Sequence, residues 1–240
     1  MQKNIKEEFI STLSHEIRTP LTSIKGFCQT MLNSWDALND EKKKEFLGII
    51  LNQSKRLISL VENVLNVAKI DSDSSNLVLS KVEINKLIQN CANMLKIANP
   101  DFNFEYTLSK NELNCLCDND KTQQIILNIL DNAIKYSINS KKIEIKTKNE
   151  ADFNVISIKN FGNYIEEDYF DKIFEKFYRI DSYIKTQTQG SGLGLYIAKS
   201  LIEKMQGKIS VKSYKDENSV EFLIYIPIYE VEKLTKNIGV

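Results

Sequence analysis

The first seventy residues constrain this chain most. Apolar residues at Ile10, Leu13, Ile17, Leu21, Ile24, Cys28 and Met31 recur in steps of three or four, which predicts an amphipathic helix. Pro20 lies inside that run; it removes one backbone hydrogen bond and predicts a kink. Residues 33–40 (NSWDALND) are a polar connection, with Asn39 or Asp40 as N-cap for a second helix. That helix carries Phe46, Ile50, Leu57, Leu60, Val64 and Val67, with Gln53 on its seam. Two such helices joined by a short loop form a hairpin. A lone hairpin buries both stripes poorly, and pairing two of them into a four-helix bundle solves this. The sequence therefore predicts a homodimer.

Residues 71–76 (DSDSSN) contain no apolar side chain and mark a linker. The expected division is a helical hairpin over 1–71, a linker over 72–76, a second domain over 77–230 and a tail over 231–240. The second domain alternates strands and helices. Strands are predicted at Leu77–Leu79, Phe102–Thr107, Asn114–Cys117, Ile143–Lys148, Val155–Ile158, Lys208–Tyr214 and Val220–Ile226. Helices are predicted at Ile84–Ile97, Lys121–Tyr136, Tyr169–Ile173 and Leu193–Met205. The last two strands form a hairpin around Lys215–Asn218. Consecutive strands without a crossover helix predict a mixed α/β sandwich, so the fold class is α+β.

Composition excludes several functions. Thirty-two basic and thirty-two acidic residues balance, which argues against nucleic acid as a partner and against a polybasic membrane patch. No stretch reaches the roughly 18 apolar residues of a membrane span, and no signal peptide leads the chain. Cys115 and Cys117, two apart, read as small core residues on one strand face. A single histidine leaves them short of zinc ligands, and the four cysteines do not look like a disulfide framework. The expected location is cytoplasmic, as a soluble protein or as the cytoplasmic portion of a longer membrane protein.

His15 is that single histidine. At about 100° per residue it lies roughly 200° around the helix from Leu13 and roughly 160° from Ile17. It shares a polar face with Ser11, Thr12, Arg18, Thr19 and Thr22. A solvated imidazole with Glu16 beside it suits nucleophilic work, because a carboxylate can orient the ring and accept its proton. In the second domain Asn128, Asn132 and Lys135 recur at i, i+4 and i+7, on one helix face. Amide oxygens are hard ligands suited to Mg2+, and an ammonium suits phosphate. Gly190-Ser191-Gly192-Leu193-Gly194-Leu195 opens a helix, where glycines let backbone approach phosphate.

These segments together resemble the core of sensor histidine kinases. Phe9–Thr22 (FISTLSHEIRTPLT) is similar to the family's H-box, Gln124–Ser137 to its N-box, Ile173–Asp181 (IFEKFYRID) to its F-box and Gly190–Leu195 to its G2 box. The resemblance implies that His15 is the phosphoacceptor, Glu16 the general base and Thr19 a residue that positions water in phosphatase action. It implies that Phe174 and Phe177 anchor a lid whose tip is Asp181–Gln189, and that Tyr178 and Arg179 reach nucleotide phosphates. Asn128 or Asn132 would hold Mg2+. Tyr136, Lys135, Gly162, Ile165 and the residues from Gly190 to Leu195 would complete an ATP site.

The G1 box departs from the family form. Asn160 stands where an aspartate accepts the adenine amino hydrogen, and Tyr164 replaces the second glycine. An asparagine oxygen still accepts that hydrogen, without the charge-assisted part of the bond, so weaker adenine binding is expected. The resemblance implies a dimeric enzyme that phosphorylates His15 from ATP and passes the phosphoryl group to an aspartate of a response regulator. The alternative is a dimeric module that binds a regulator and little or no nucleotide. A third reading, an ATPase clamp, leaves the H-box unexplained.

Overall fold

The computed structural model describes residues 2–72, 76–180 and 191–229, with side chains from residue 10 onward. The chain divides into two compact units, Met1–Lys69 and Ile70–Val240. All four cysteines are free.

The first unit is the expected hairpin, with α1 at Gln2–Asn33 and α2 at Asp40–Asp71. Asn39 is the N-cap of α2: its Oδ1 accepts the Lys42 N–H at 2.9 Å. α1 continues through Pro20 without a break. Proline forfeits only its own N–H bond, and here the ring is buried. Phe27 and Phe46 tie the helices together, ring centroids 5.1 Å apart. The apolar residues of α2 separate into two stripes. The predicted one turns inward, with Leu60 and Val67 buried. A second, Leu47, Leu51, Ile58, Val61 and Leu65, is exposed, as are Ile10 and Leu21 on α1. The steps of 4, 7, 3 and 4 place those five α2 residues on one line.

The second unit is a two-layer sandwich. A five-stranded sheet has the order β2-β4-β5-β7-β6, built from β2 (Asn103–Thr107), β4 (Lys142–Glu150), β5 (Phe153–Phe161), β6 (Lys208–Tyr214) and β7 (Ser219–Pro227). β2 and β4 are parallel; the other pairs are antiparallel. A small ribbon pairs β1 (Leu79–Glu83) with β3 (Asn114–Asp118), and a bridge from Cys115 to Ile228 joins it to the end of β7. The helices are α3 (Ile84–Ala98), α4 (Asn119–Tyr136) and α5 (Gly194–Lys204), with α4 packed between α3 and α5 and against β5.

Alternation in the strands explains the layering. On β4, Ile143 and Ile145 are fully buried. Between them Glu144 faces outward, in ion pairs with Lys142 at 2.9 Å and Lys146 at 3.2 Å. Ile125, Ile129 and Ala133 of α4 are buried, as are Phe222 and Ile224 of β7. Caps fix the helix starts: Glu83 accepts the N–H groups of Asn85 and Lys86, and Asp118 accepts that of Lys121. Cys115 and Cys117 are buried on one face of β3, as expected.

Two predicted elements are corrected. The strand expected at Leu77–Leu79 is displaced to β1, because the ribbon pairs Leu79 with Asp118 and Glu83 with Asn114 and Val82 supplies its buried side chain. The helix expected at Tyr169–Ile173 is two single turns of 3₁₀ helix, Glu167–Tyr169 and Lys172–Phe174. Only Ile173 and Phe174 are buried there, too few to hold a longer helix.

Candidate functional site

The proposed acceptor lies on α1. His15 is exposed on a polar face, with Ser11, Arg18, Thr19 and Thr22 exposed around it. Thr19 donates its hydroxyl hydrogen to the His15 carbonyl at 3.2 Å. Glu16, the next residue, is half-buried beside that face. Consecutive helical residues stand about 100° apart, and the Glu16 carboxylate turns toward α2, where Arg56 Nη2 lies 3.0 Å from its Oε2. Sequence neighbourhood alone missed Arg56.

The second unit encloses a cavity of about 170 Å³. Asn132 and Tyr136, one turn apart on α4, form a wall. Asn160 at the end of β5, with Val220 and Phe222 of β7, forms the floor. Tyr164, Ile165, Tyr178, Arg179 and Leu195 close the remainder. Seven predicted residues thus share one space: Asn132, Tyr136, Asn160, Ile165, Tyr178, Arg179 and Leu195. The contributions of Asn163, Tyr164, Ile173, Ile180, Val220 and Phe222 were not foreseen. Those of β7 fall in a predicted strand, and pattern does not show which end of a strand meets a cavity.

The predicted glycines act around the rim. A Cβ on Gly162 would fall inside the Tyr136 carbonyl oxygen, and the Gly162 N–H donates to Asn218 O at 2.7 Å. Ile165 is held by its N–H, which donates to Ser213 Oγ at 2.9 Å. Gly192 has φ +69°, and a Cβ there would approach the Phe177 backbone to 2.8 Å. Phe177 itself has φ 60° and donates its N–H to Gly192 O at 3.0 Å. A positive φ at a bulky residue is strained, and here it seats Phe177 against Gly192. Phe174 is buried, edge-on to Phe222 with centroids 6.3 Å apart. The expected lid tip, Asp181–Gln189, and Gly190 lie outside the described residues.

Other predicted residues stand outside the cavity lining. Asn128 donates from Nδ2 to Gly194 O at 3.3 Å, joining α4 to the start of α5. Lys135 is in an ion pair with Asp131 at 2.5 Å, as spacing i,i+4 favours. Ser191 Oγ accepts the Leu193 N–H at 3.4 Å, and Leu193 is fully buried. The Tyr178 phenol is pushed up from its ordinary value by desolvation and by Tyr169 and Glu175. Among the described residues no cluster of three His, Cys, Asp or Glu side chains could hold a metal by itself.

An exposed histidine on a helical hairpin, followed by an α/β sandwich with an amide- and tyrosine-lined cavity, is matched by two family models. The His Kinase A (phospho-acceptor) domain matches residues 5–73, and the histidine kinase-, DNA gyrase B- and HSP90-like ATPase matches residues 117–230. The chain belongs to the sensor histidine kinases and carries their phosphoacceptor and ATPase-type domains.

It is 32% identical over 222 residues to the signal transduction histidine-protein kinase ArlS of Staphylococcus aureus, covering 92% of this chain and 49% of that protein. The chain thus spans about half the length of the curated relatives it matches. Among solved structures it resembles the histidine kinase ThkA in complex with the response regulator TrrA. Identity there is 28% and TM-score 0.71, over 95% of this chain and 63% of that one. It also resembles full-length ShkA in complex with AMPPNP, at 25% identity and TM-score 0.68, over 94% of this chain and 46% of that one. No helix among the described residues is long and apolar enough to cross a membrane.

Proposed function

We propose that this chain binds Mg-ATP in the Asn132–Asn160 cavity, phosphorylates itself on His15 and hands the phosphoryl group to an aspartate of a response regulator. The observation that carries the reading is the pairing, in one chain, of an exposed His15 on a phosphoacceptor hairpin with that cavity. ShkA was solved with AMPPNP, an ATP analogue, and ThkA with its regulator. Both support a nucleotide and a receiver domain as ligands here.

In the proposed reaction a His15 ring nitrogen attacks the γ-phosphorus in line, the bond to the β-phosphate oxygen breaks, and ADP leaves. The ring proton passes to Glu16, whose carboxylate Arg56 positions. Tyr178 and Arg179 line the cavity beside Asn132 and are assigned to the phosphates. Their donors would spread the charge that builds on the transferring group. Gly192 and Gly194 let backbone approach the phosphates at the α5 N-terminus. Thr19, one turn beyond His15, is assigned to orient water when the phosphorylated regulator is hydrolysed.

The donor chemistry fits Mg2+ arriving with its nucleotide. Without an acidic cluster among the described residues, the amide oxygens of Asn132 and Asn128 are the hard donors at hand, and Mg2+ commonly keeps few protein ligands and binds through phosphate. When bound, Mg2+ supplies charge neutralisation at the phosphates. The exposed α2 stripe Leu47, Leu51, Ile58, Val61 and Leu65 supports a homodimer, since a second hairpin would cover it. The proposed location is cytoplasmic, where ATP is available. Calorimetry tests the pocket: Mg-ATP binding that disappears in Asn132→Ala is expected, and no binding by the unaltered chain would leave only a regulator-binding module.

A further inference from the structure

Asn160 holds an unusual position in the cavity. It is 2% exposed, it lines the space assigned to the nucleotide base, and its Nδ2 is buried with no hydrogen-bond partner among the described residues. The backbone around it is fixed, since Asn160 sits in register between Ile143 of β4 and Val220 of β7. Only the side-chain amide can adjust.

An amide differs from a carboxylate in a way that bears on specificity. A carboxylate only accepts, so at this position it favours an amino group on the purine and opposes a carbonyl. An asparagine has both an acceptor and a two-hydrogen donor, and the ends exchange on a half-turn with almost no change of shape. A buried donor without a partner is costly, whereas an under-satisfied acceptor is tolerated better. The half-turn that turns Nδ2 toward the cavity therefore relieves the orphan donor as soon as a ligand offers an oxygen there. The opposite orientation serves an amino group.

We propose that Asn160 gives this site relaxed purine specificity, so that 6-oxopurine nucleoside triphosphates bind and serve as phosphoryl donors alongside ATP. The inference rests on the nucleotide-site reading above and deepens it. Inosine triphosphate is the appropriate probe, because it changes the 6-substituent and its adjoining ring proton without adding the guanine amino group.

The test is calorimetric titration of the full chain and of Asn160→Asp with Mg-ATP and Mg-ITP. The substitution is isosteric and restores an acceptor-only group. It is expected to shift the ATP-to-ITP affinity ratio toward ATP by about tenfold or more, since charge-assisted bonds are roughly twice as strong and the carboxylate repels the carbonyl. A smaller shift, with ATP still bound, overturns the inference and leaves the nucleotide reading intact. If the unaltered chain binds neither nucleotide, the nucleotide reading fails and this inference with it. If only the variant fails to bind, labelling of the unaltered chain from γ-labelled ITP decides. A rate within about tenfold of that from ATP supports the proposal, and a slower one overturns it.

Discussion

Arg56 on α2 holds Glu16 on α1 in a 3.0 Å ion pair, one residue from the proposed phosphoacceptor His15. Both side chains are only about one-fifth exposed, 23% and 22%, so the pair is less screened than a surface one. The geometry gives Glu16 a fixed position and a partner other than the ring beside it in sequence. Arg56→Met is therefore expected to lower autophosphorylation by about three- to tenfold with Mg-ATP affinity unchanged. Glu16→Gln should cost about a hundredfold, in the range of general acid–base effects. Because the two residues act as a unit, the double variant should resemble Glu16→Gln alone. Additive losses would show that Arg56 acts elsewhere.

The glycines separate into two predicted classes. Gly162→Ala must displace the Tyr136 carbonyl, so thermal denaturation should show a loss on the order of 2–4 kcal/mol, with Mg-ATP binding abolished. Gly192→Ala combines φ +69° with an approach of 2.8 Å to the Phe177 backbone and should behave similarly. At Gly194 the nearest atom to a new Cβ is 3.8 Å away, in the Asn128 side chain. Gly194→Ala should fold with unchanged stability within about 0.5 kcal/mol.

The exposed α2 stripe predicts the oligomeric state. Leu51→Asp with Ile58→Asp should convert a sedimenting dimer to monomer while leaving Mg-ATP affinity of the second unit unaltered. A chain that is monomeric before substitution would remove the explanation for five exposed leucines, isoleucines and valines on one line.

Three buried thiols make an alkaline prediction. Burial pushes Cys115 up to about 12 and Cys91 and Cys117 to about 11, from an ordinary value of 9.0. Below pH 9 the thiols are protonated in both folded and unfolded chains. Above it the unfolded chain releases protons that the folded chain retains, so stability falls as pH rises between 9 and 12. Denaturant midpoints measured from pH 7 to pH 11 should decline, and Cys115→Ala should flatten part of that slope. In the native chain at pH 8, a thiol reagent should modify none of these three until unfolding exposes them.

Much of this was legible in residue pattern, and the exceptions have physical causes. The hairpin followed from apolar spacing; on α4 the i, i+4, i+7 face of Asn128, Asn132 and Lys135 found Asn132, while Asn128 and Lys135 stand outside the cavity lining. Pattern reads burial within one element but not partners across elements. For that reason it found Glu16 and missed Arg56, forty positions away, and placed Val220 and Phe222 in a strand without their cavity edge. It named the inner α2 stripe and passed over Leu47, Leu51, Ile58, Val61 and Leu65, because only packing shows that a second apolar line is left exposed. It extended a helix over Tyr169–Ile173, where local apolar content suggested one but too few residues are buried to sustain it. Asn160 was recognised as a departure, yet its orphaned donor is a property of burial that only the fold reveals.

The central claim is that His15 accepts the phosphoryl group. Incubation with γ-labelled Mg-ATP measures this most directly. The account predicts acid-labile, base-stable label on the unaltered chain and none on His15→Gln, with Mg-ATP affinity equal in the two. Label that survives the substitution, or that resists acid, would contradict it.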